Sequence, residues 1–230
     1  TGQVILAGMG ELHLEIALER FRDAFGVEIN VGKPQVLYCS TVEGSSRAEK
    51  VFDRAIGETQ HHGHVELSVR PAGRGSGNAF AVDRSIEDGL RFSVLMGLEE
   101  ACLADPEYGH EVVDVEVSVD RVVKTDKTTP QGLKIAAQMA AHEAMRKAGV
   151  VRLEPIMELD ALSPEDYVGE VVGDLSARKA TIEGVVTKGK MHEIRAYVPL
   201  ANTFGYSTTL RSLTRGRGSF SMRFSRFDKV

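Results

Sequence analysis

The sequence predicts an α+β protein, and three observations carry that expectation. Stretches with apolar residues at helical spacing alternate along the chain with stretches whose apolar residues fall at every second position. From about residue 153 onward the order of these stretches is strand, helix, strand, strand, helix, strand. The composition, 42% hydrophobic and 27% charged over 230 residues, suits a globular chain that buries a real core.

The first elements are short. Val4–Ala7 reads as a strand followed by a glycine turn. In "ELHLEIALERFRDAF", Leu14, Leu18, Phe21 and Phe25 share one helix face, and Gly26 follows where a left-handed cap costs glycine least. Val27, Ile29 and Val31 alternate as a second strand, Pro34 ends it, and "QVLYCSTV" begins another extended run. This βαβ piece is too small to be a stable domain, and the chain opens on Thr1 in structured-looking sequence. Both features predict a piece of a longer protein.

The middle stretch begins near residue 43. Val65, Leu67 and Val69 alternate as a strand; "RPAGRGSGN" is a turn-rich loop, and "AFAVDR" returns. Leu90, Val94, Leu98 and Ala101 mark a helix that stops near Pro106. Val113, Val115, Val117 and Val119 give a half-buried strand. After the loop "DRVVKTDKTT", Thr129 and Pro130 stand as N-cap and first helical residue of a helix ending at Gly149.

In the last stretch "EPIMELDAL" is a strand, and Ser163 with Asp166 resembles a capping box. Val168, Val171, Val172 and Leu175 form a helix face. Gly169 and Gly173 in that helix each cost about 1 kcal/mol against Ala, which predicts close approach of another backbone, from a sheet or an RNA. Two strands flank a turn at Lys188-Gly189-Lys190. Asn202 is placed to cap a helix carrying Tyr206, Leu210 and Leu213; Gly216 closes it, and Arg211 and Arg215 complement its dipole. Phe220, Met222 and Phe224 alternate as a final strand. This β-α-β-β-α-β order is the ferredoxin-like split βαβ arrangement.

Several chemistries find no support. There is no G-x-x-x-x-G-K-[ST] phosphate loop; "RGRGS" precedes a strand rather than opening a helix. "GYSTT" lacks the spacing of a nucleophile elbow. Glu11, His13 and Glu15 cannot converge on a metal, because on a helix the His points away from both carboxylates. His61 and His62 are adjacent, so their rings do not easily chelate one ion, and nothing beside His64 supplies further ligands. No catalytic or metal-binding residues are therefore assigned. Two cysteines without metal-type spacing fit a reducing cytosol rather than a disulfide scaffold. Apolar runs stay below the roughly 18 residues of a membrane span. With a net charge of −5, nucleic-acid contact has to come from local patches.

"GMGELHLEI" with "NVGKPQV", then "LEPIM", "GEVVGDLSARKATIEG" and "FGYSTTLRSLTRGRGSFSM", resemble in order the C-terminal part of elongation factor G. The resemblance implies three domains: residues 1–42 as the end of a ferredoxin-like domain III, 43–152 as domain IV, and 153–230 as a complete ferredoxin-like domain V. It implies a left-handed βαβ crossover in domain IV, an exception to the usual hand. It also implies a cytoplasmic, monomeric translation factor without membrane contact. Its partners would be the ribosome, through rRNA and ribosomal proteins, and the tRNA–mRNA complex. GTP and Mg would bind in an N-terminal GTPase domain outside this chain, which itself would take no cofactor and hold no catalytic site.

The same resemblance nominates contact residues. Gln60, His61 and His62, in a first tip loop "GETQHHGHV", and Lys124, Thr125, Asp126 and Lys127, in a second, would meet the tRNA–mRNA pair in the decoding region. Thr59 stands where the family usually has Arg, His61-His62 replace Gln-Tyr, and Lys124 takes the place of a common His. Ser176, Arg178 and Lys179 would contact large-subunit rRNA. From the residues alone, the first loop also reads as a solvated turn, the second as an exposed loop before a helix cap, and Arg178-Lys179 as a dipole-complementing helix end. Three functions stay open: a translocation arm, a paralogue with another ribosomal task such as subunit recycling, and a stand-alone enzyme domain pair.

Overall fold

The computed structural model describes residues 6, 8, 11–32 and 35–230. The chain forms two compact units, one of residues 38–153 with 229–230, the other of 1–37 with 154–228.

Helix α1 (Glu11–Phe25) forms where the apolar spacing places it. Gly26 closes it at φ 62°, its N–H donating to the Arg22 carbonyl at 2.7 Å. The Phe21 and Phe25 rings meet at a tilt of 41° with centroids 4.7 Å apart, and both side chains are exposed. The strand expected at Val4–Ala7 lies outside the described residues except for Leu6, which joins no strand. The strand expected over Val27, Ile29 and Val31 is corrected: these residues are outside any ladder. Alternation supplies a face, but a strand exists only where a neighbour takes up its N–H and C=O groups, and among the described residues none does.

In the unit of residues 38–153, β1 (Cys39–Val42) is followed by a long hairpin, β2 (Ser46–Ile56) and β3 (Thr59–Pro71). Then come β4 (Ala79–Ala81), α2 (Asp88–Cys102), β5 (Glu111–Val112), β6 (Val115–Val122) and α3 (Pro130–Ala148). The main sheet runs β2-β3-β6-β4, antiparallel except for the parallel β4–β6 pair, whose connection passes through α2. Helix α3 lies across β2 and β3 and against α2. Val65, Leu67 and Val69 meet Val115, Val117, Leu98, Leu133 and a row of α3 alanines in one core. Each fully buried Val or Leu contributes about 1.5–3 kcal/mol. The alanines, and Gly97 on α2, let the helices close up: a Cβ on Gly97 would stand 2.2 Å from the Lys134 carbonyl oxygen.

Val113 lies outside the strand predicted for it. Asp114 breaks the alternation at φ 57°, and its buried carboxylate accepts the N–H groups of Gly75 and Gly77, each at 2.9 Å. The carboxylate thereby organises the glycine-rich loop before β4.

Strand β7 (Val150–Pro164) begins beside β1, which pairs with residues 150–153. The unit of residues 154–228 takes the rest of β7, then α4 (Val168–Ala177), β8 (Thr181–Lys188), β9 (Met191–Pro199), α5 (Tyr206–Leu213) and β10 (Ser219–Lys229). The strand order β10-β7-β9-β8 is that of the ferredoxin-like fold. Leu159 and Ala161, Ile194 and Val198, Val171 and Leu175, and Tyr206 and Leu210 fill its core.

Two local expectations are corrected here. Ser163 caps nothing: it is buried in β7 opposite His192, because ladder pairing continues to Pro164. Asn202 caps nothing either. Gly205, at φ 72°, precedes α5, while the Asn202 side chain donates to the Arg178 carbonyl at 3.0 Å. Of the two partners expected for Gly169 and Gly173, a sheet backbone is not the one, because open space stands where a Cβ would be. Among the described residues no helix is long and apolar enough to cross a membrane.

Candidate functional site

At one end of the β2–β3 hairpin the chain turns through Gly57 and Glu58 alone, with Gly57 at φ 63°. Gln60, His61 and His62 are therefore strand residues of β3 and not part of a wide loop. The ladder zips to its last pair, Ile56 with Thr59, and sets Gln60 opposite Ala55, His61 opposite Arg54 and His62 opposite Asp53. Alternation then sends the two imidazoles to opposite faces of the sheet.

On the helix side, His61 Nδ1 lies 3.1 Å from the Thr129 hydroxyl. That hydroxyl also accepts the Gly132 N–H at 3.1 Å, the N-cap bond of α3. On the other face, the mostly buried His62 has its Nδ1 3.6 Å from an Asp53 carboxylate oxygen, and the Gln60 amide donates to Asp53 at 2.6 Å. The Gln60 hydrogen bond, with His62 and Lys127 behind it, holds the Asp53 carboxyl below the usual carboxylate range against partial desolvation.

The 123–129 segment sits directly on this strand. Val123 N–H donates to the His64 carbonyl at 3.1 Å, and Thr129 N–H donates to the His62 carbonyl at 2.9 Å. The loop between them thus leaves and rejoins β3 two residues apart. It closes on itself: Thr128 N–H donates to the Thr125 carbonyl at 3.0 Å, and Thr125 N–H to the Thr128 hydroxyl at 2.8 Å. Lys124, Thr125, Asp126 and Lys127 are exposed on this braced turn. The Lys124 ammonium reaches Glu87 at 3.0 Å, a solvent-exposed pair that holds it only weakly.

Two glycines make the docking possible. A Cβ on Gly63 would stand 2.2 Å from the Gly132 carbonyl, and a Cβ on Gly132 would stand 2.3 Å from the His62 carbonyl. The first turn of α3 therefore touches β3 backbone to backbone. Gly132, a poor helix former three residues past an N-cap, was the signal for it. The result is a rigid, narrow end carrying lysines and hydroxyls, a set that suits phosphate and sugar contacts rather than base reading.

The second nominated set lies at the end of α4. Ser176 and Lys179 are exposed, Lys179 at φ 60°. Arg178 turns inward. Its guanidinium donates to Asp174 at 2.8 Å, to the Asn202 carbonyl at 2.8 Å, to the Phe204 carbonyl at 3.2 Å and to the Thr209 hydroxyl at 3.0 Å. It also lies over the Tyr206 ring at 5.2 Å. The geometry gives Arg178 the work of fastening α4 to the entry of α5.

Comparison with known proteins covers the chain from end to end. The family model described as Elongation Factor G, domain III matches residues 1–33, that for domain IV matches 34–149, and that for the elongation factor G C-terminus matches 151–230. An elongation factor G from Aquifex pyrophilus is 44% identical over 236 residues, and one from Thermotoga maritima 42%. Each match takes in 100% of this chain and 34% of the relative, so the chain spans about a third of the length of these relatives. A crystal structure from Thermus thermophilus superposes with a TM-score of 0.83 at 31% identity, covering 96% of this chain and 34% of that one.

Proposed function

Because this chain belongs to the elongation factor G family, we propose that it is the ribosome-facing, C-terminal arm of a translocation factor in the cytoplasm. Residues 1–42 would end domain III, 43–152 form domain IV and 153–230 form domain V. GTP hydrolysis with Mg in an N-terminal domain would drive the arm, and the end built from the β2–β3 hairpin and the Lys124–Lys127 turn would follow the tRNA–mRNA pair. The observation that carries this reading is the bracing of that turn: both its ends are hydrogen-bonded to β3, so exposed Lys124 and Lys127 project from a stiff support. A stiff end that carries exposed lysines can meet an RNA backbone without losing the ordering entropy of a loose loop. The exposed Ser176 and Lys179 would meet rRNA, with Arg178 behind them as a strut.

Co-sedimentation of the full-length factor with ribosomes, loaded with a non-hydrolysable GTP analogue, tests this. Stable binding supports the reading, and failure to bind removes it. Thr59, His61 and His62 at the hairpin end favour one second reading, a paralogue with another ribosomal task such as subunit recycling. Subunit splitting without translocation by the same preparation selects that reading.

A further inference from the structure

We infer that His61 and Thr129 form a latch that aims the Lys124–Lys127 turn, so that His61 is a positioning residue and not an RNA contact. The inference deepens the reading of the hairpin end as the part that meets the tRNA–mRNA pair, and rests on that reading for its consequence on the ribosome.

Three observations support it. The Thr129 hydroxyl is shared: it accepts the Gly132 N–H at 3.1 Å and meets His61 Nδ1 at 3.1 Å, so one oxygen joins the start of α3 to a side chain of β3. A hydroxyl offers one donor and two acceptor sites, and so serves both partners in either tautomer of the imidazole. Next, Thr129 is the residue through which the turn rejoins the sheet, its N–H on the His62 carbonyl at 2.9 Å. Fixing the Thr129 side chain therefore fixes the point from which Lys127, Asp126 and Thr125 are suspended. Finally, His61 is half-buried on the helix-facing side of β3, while Gly63 and Gly132 keep that side closed at backbone contact. A ring held there meets the helix cap through its Nδ1.

His62 belongs to the same device on the other face. Its ring lies mostly buried against Asp53 and its carbonyl holds Thr129. Of the nominated residues at this end, contact then falls to the exposed Gln60, Lys124, Thr125, Asp126 and Lys127.

The test is hydrogen–deuterium exchange on the whole chain combined with single-round translocation by the full-length factor. His61→Ala should speed exchange of the Thr128 and Thr129 amides about five- to tenfold, the loss of roughly one hydrogen bond, with the thermal midpoint little changed. His61→Asn, whose amide can stand where Nδ1 does, should restore slow exchange; Thr129→Ser should keep it. On the ribosome, His61→Ala should slow translocation and His61→Asn should recover it. Unchanged exchange in His61→Ala overturns the latch. Faster exchange with unaltered translocation leaves the latch in place and overturns the reading of this end as the part that meets tRNA and mRNA. Slower translocation by His61→Asn equal to that of His61→Ala overturns the positioning role in favour of direct contact by the imidazole.

Discussion

The hairpin end and the C-terminal end of α4 carry the same kind of residue, a cation beside a helix terminus, and use it in opposite ways. At the hairpin end backbone bonds carry most of the fastening, and short hydroxyls and His61 complete it without using a cation. Carbonyls of His62 and His64 hold the turn, glycine lets a helix touch a strand, and Lys124 and Lys127 are left facing water. At the end of α4 a side chain does the fastening, and the Arg178 guanidinium is consumed by Asp174, Thr209 and two carbonyls. Whether a surface cation is a contact or a strut therefore depends on what satisfies the backbone around it. Arginine, with five donors in a planar fork, suits the strut; lysine, a flexible point charge, suits the contact.

Changing the fastening at each end sharpens this contrast. Gly63→Ala should have the largest effect. The new methyl would overlap the Gly132 backbone, which cannot swing aside, and a loss of more than about 4 kcal/mol is expected. Chemical denaturation measures it, and a loss below about 1 kcal/mol would show that α3 does not sit on β3 in this way. Arg178→Ala should cost about 3 kcal/mol by leaving carbonyls and Asp174 without their donor. Arg178→Lys should recover only part of that loss, because an ammonium cannot span the same acceptors. If Arg178→Ala proves neutral in thermal unfolding, the strut assignment fails. Gly173→Ala should move stability the other way, by about 1 kcal/mol, since the position is helical and open. A destabilised Gly173→Ala would reveal a neighbour that the unit itself does not show.

These glycines also mark where sequence reading works and where it stops. Periodicity located the cores: Val65, Leu67 and Val69 on β3 and Leu90, Val94 and Leu98 on α2 are buried as their spacing predicts. Thr129 with Pro130 read correctly as a helix start because capping is local chemistry. Ser163 and Asn202 carry the same capping signal and do not cap, because a strand ladder and an Arg178 hydrogen bond claim them first. Gly63 and Gly132 are far apart in sequence, and only the fold brings them together. Gly173 promised a close contact by its cost, and the unit shows none. Arg178 and Lys179 are neighbours of one type, and only tertiary structure separates the strut from the exposed ammonium.

The most direct measurement is single-round translocation by the full-length factor carrying Lys124→Ala and Lys127→Ala together, read beside ribosome-stimulated GTP hydrolysis. Both side chains are exposed on a turn held by backbone and threonine bonds, so their loss should leave folding intact. Translocation should slow by about tenfold or more while GTP hydrolysis stays within about twofold of the unaltered protein. Translocation at the unaltered rate would contradict the assignment of this turn as the part that follows the tRNA–mRNA pair.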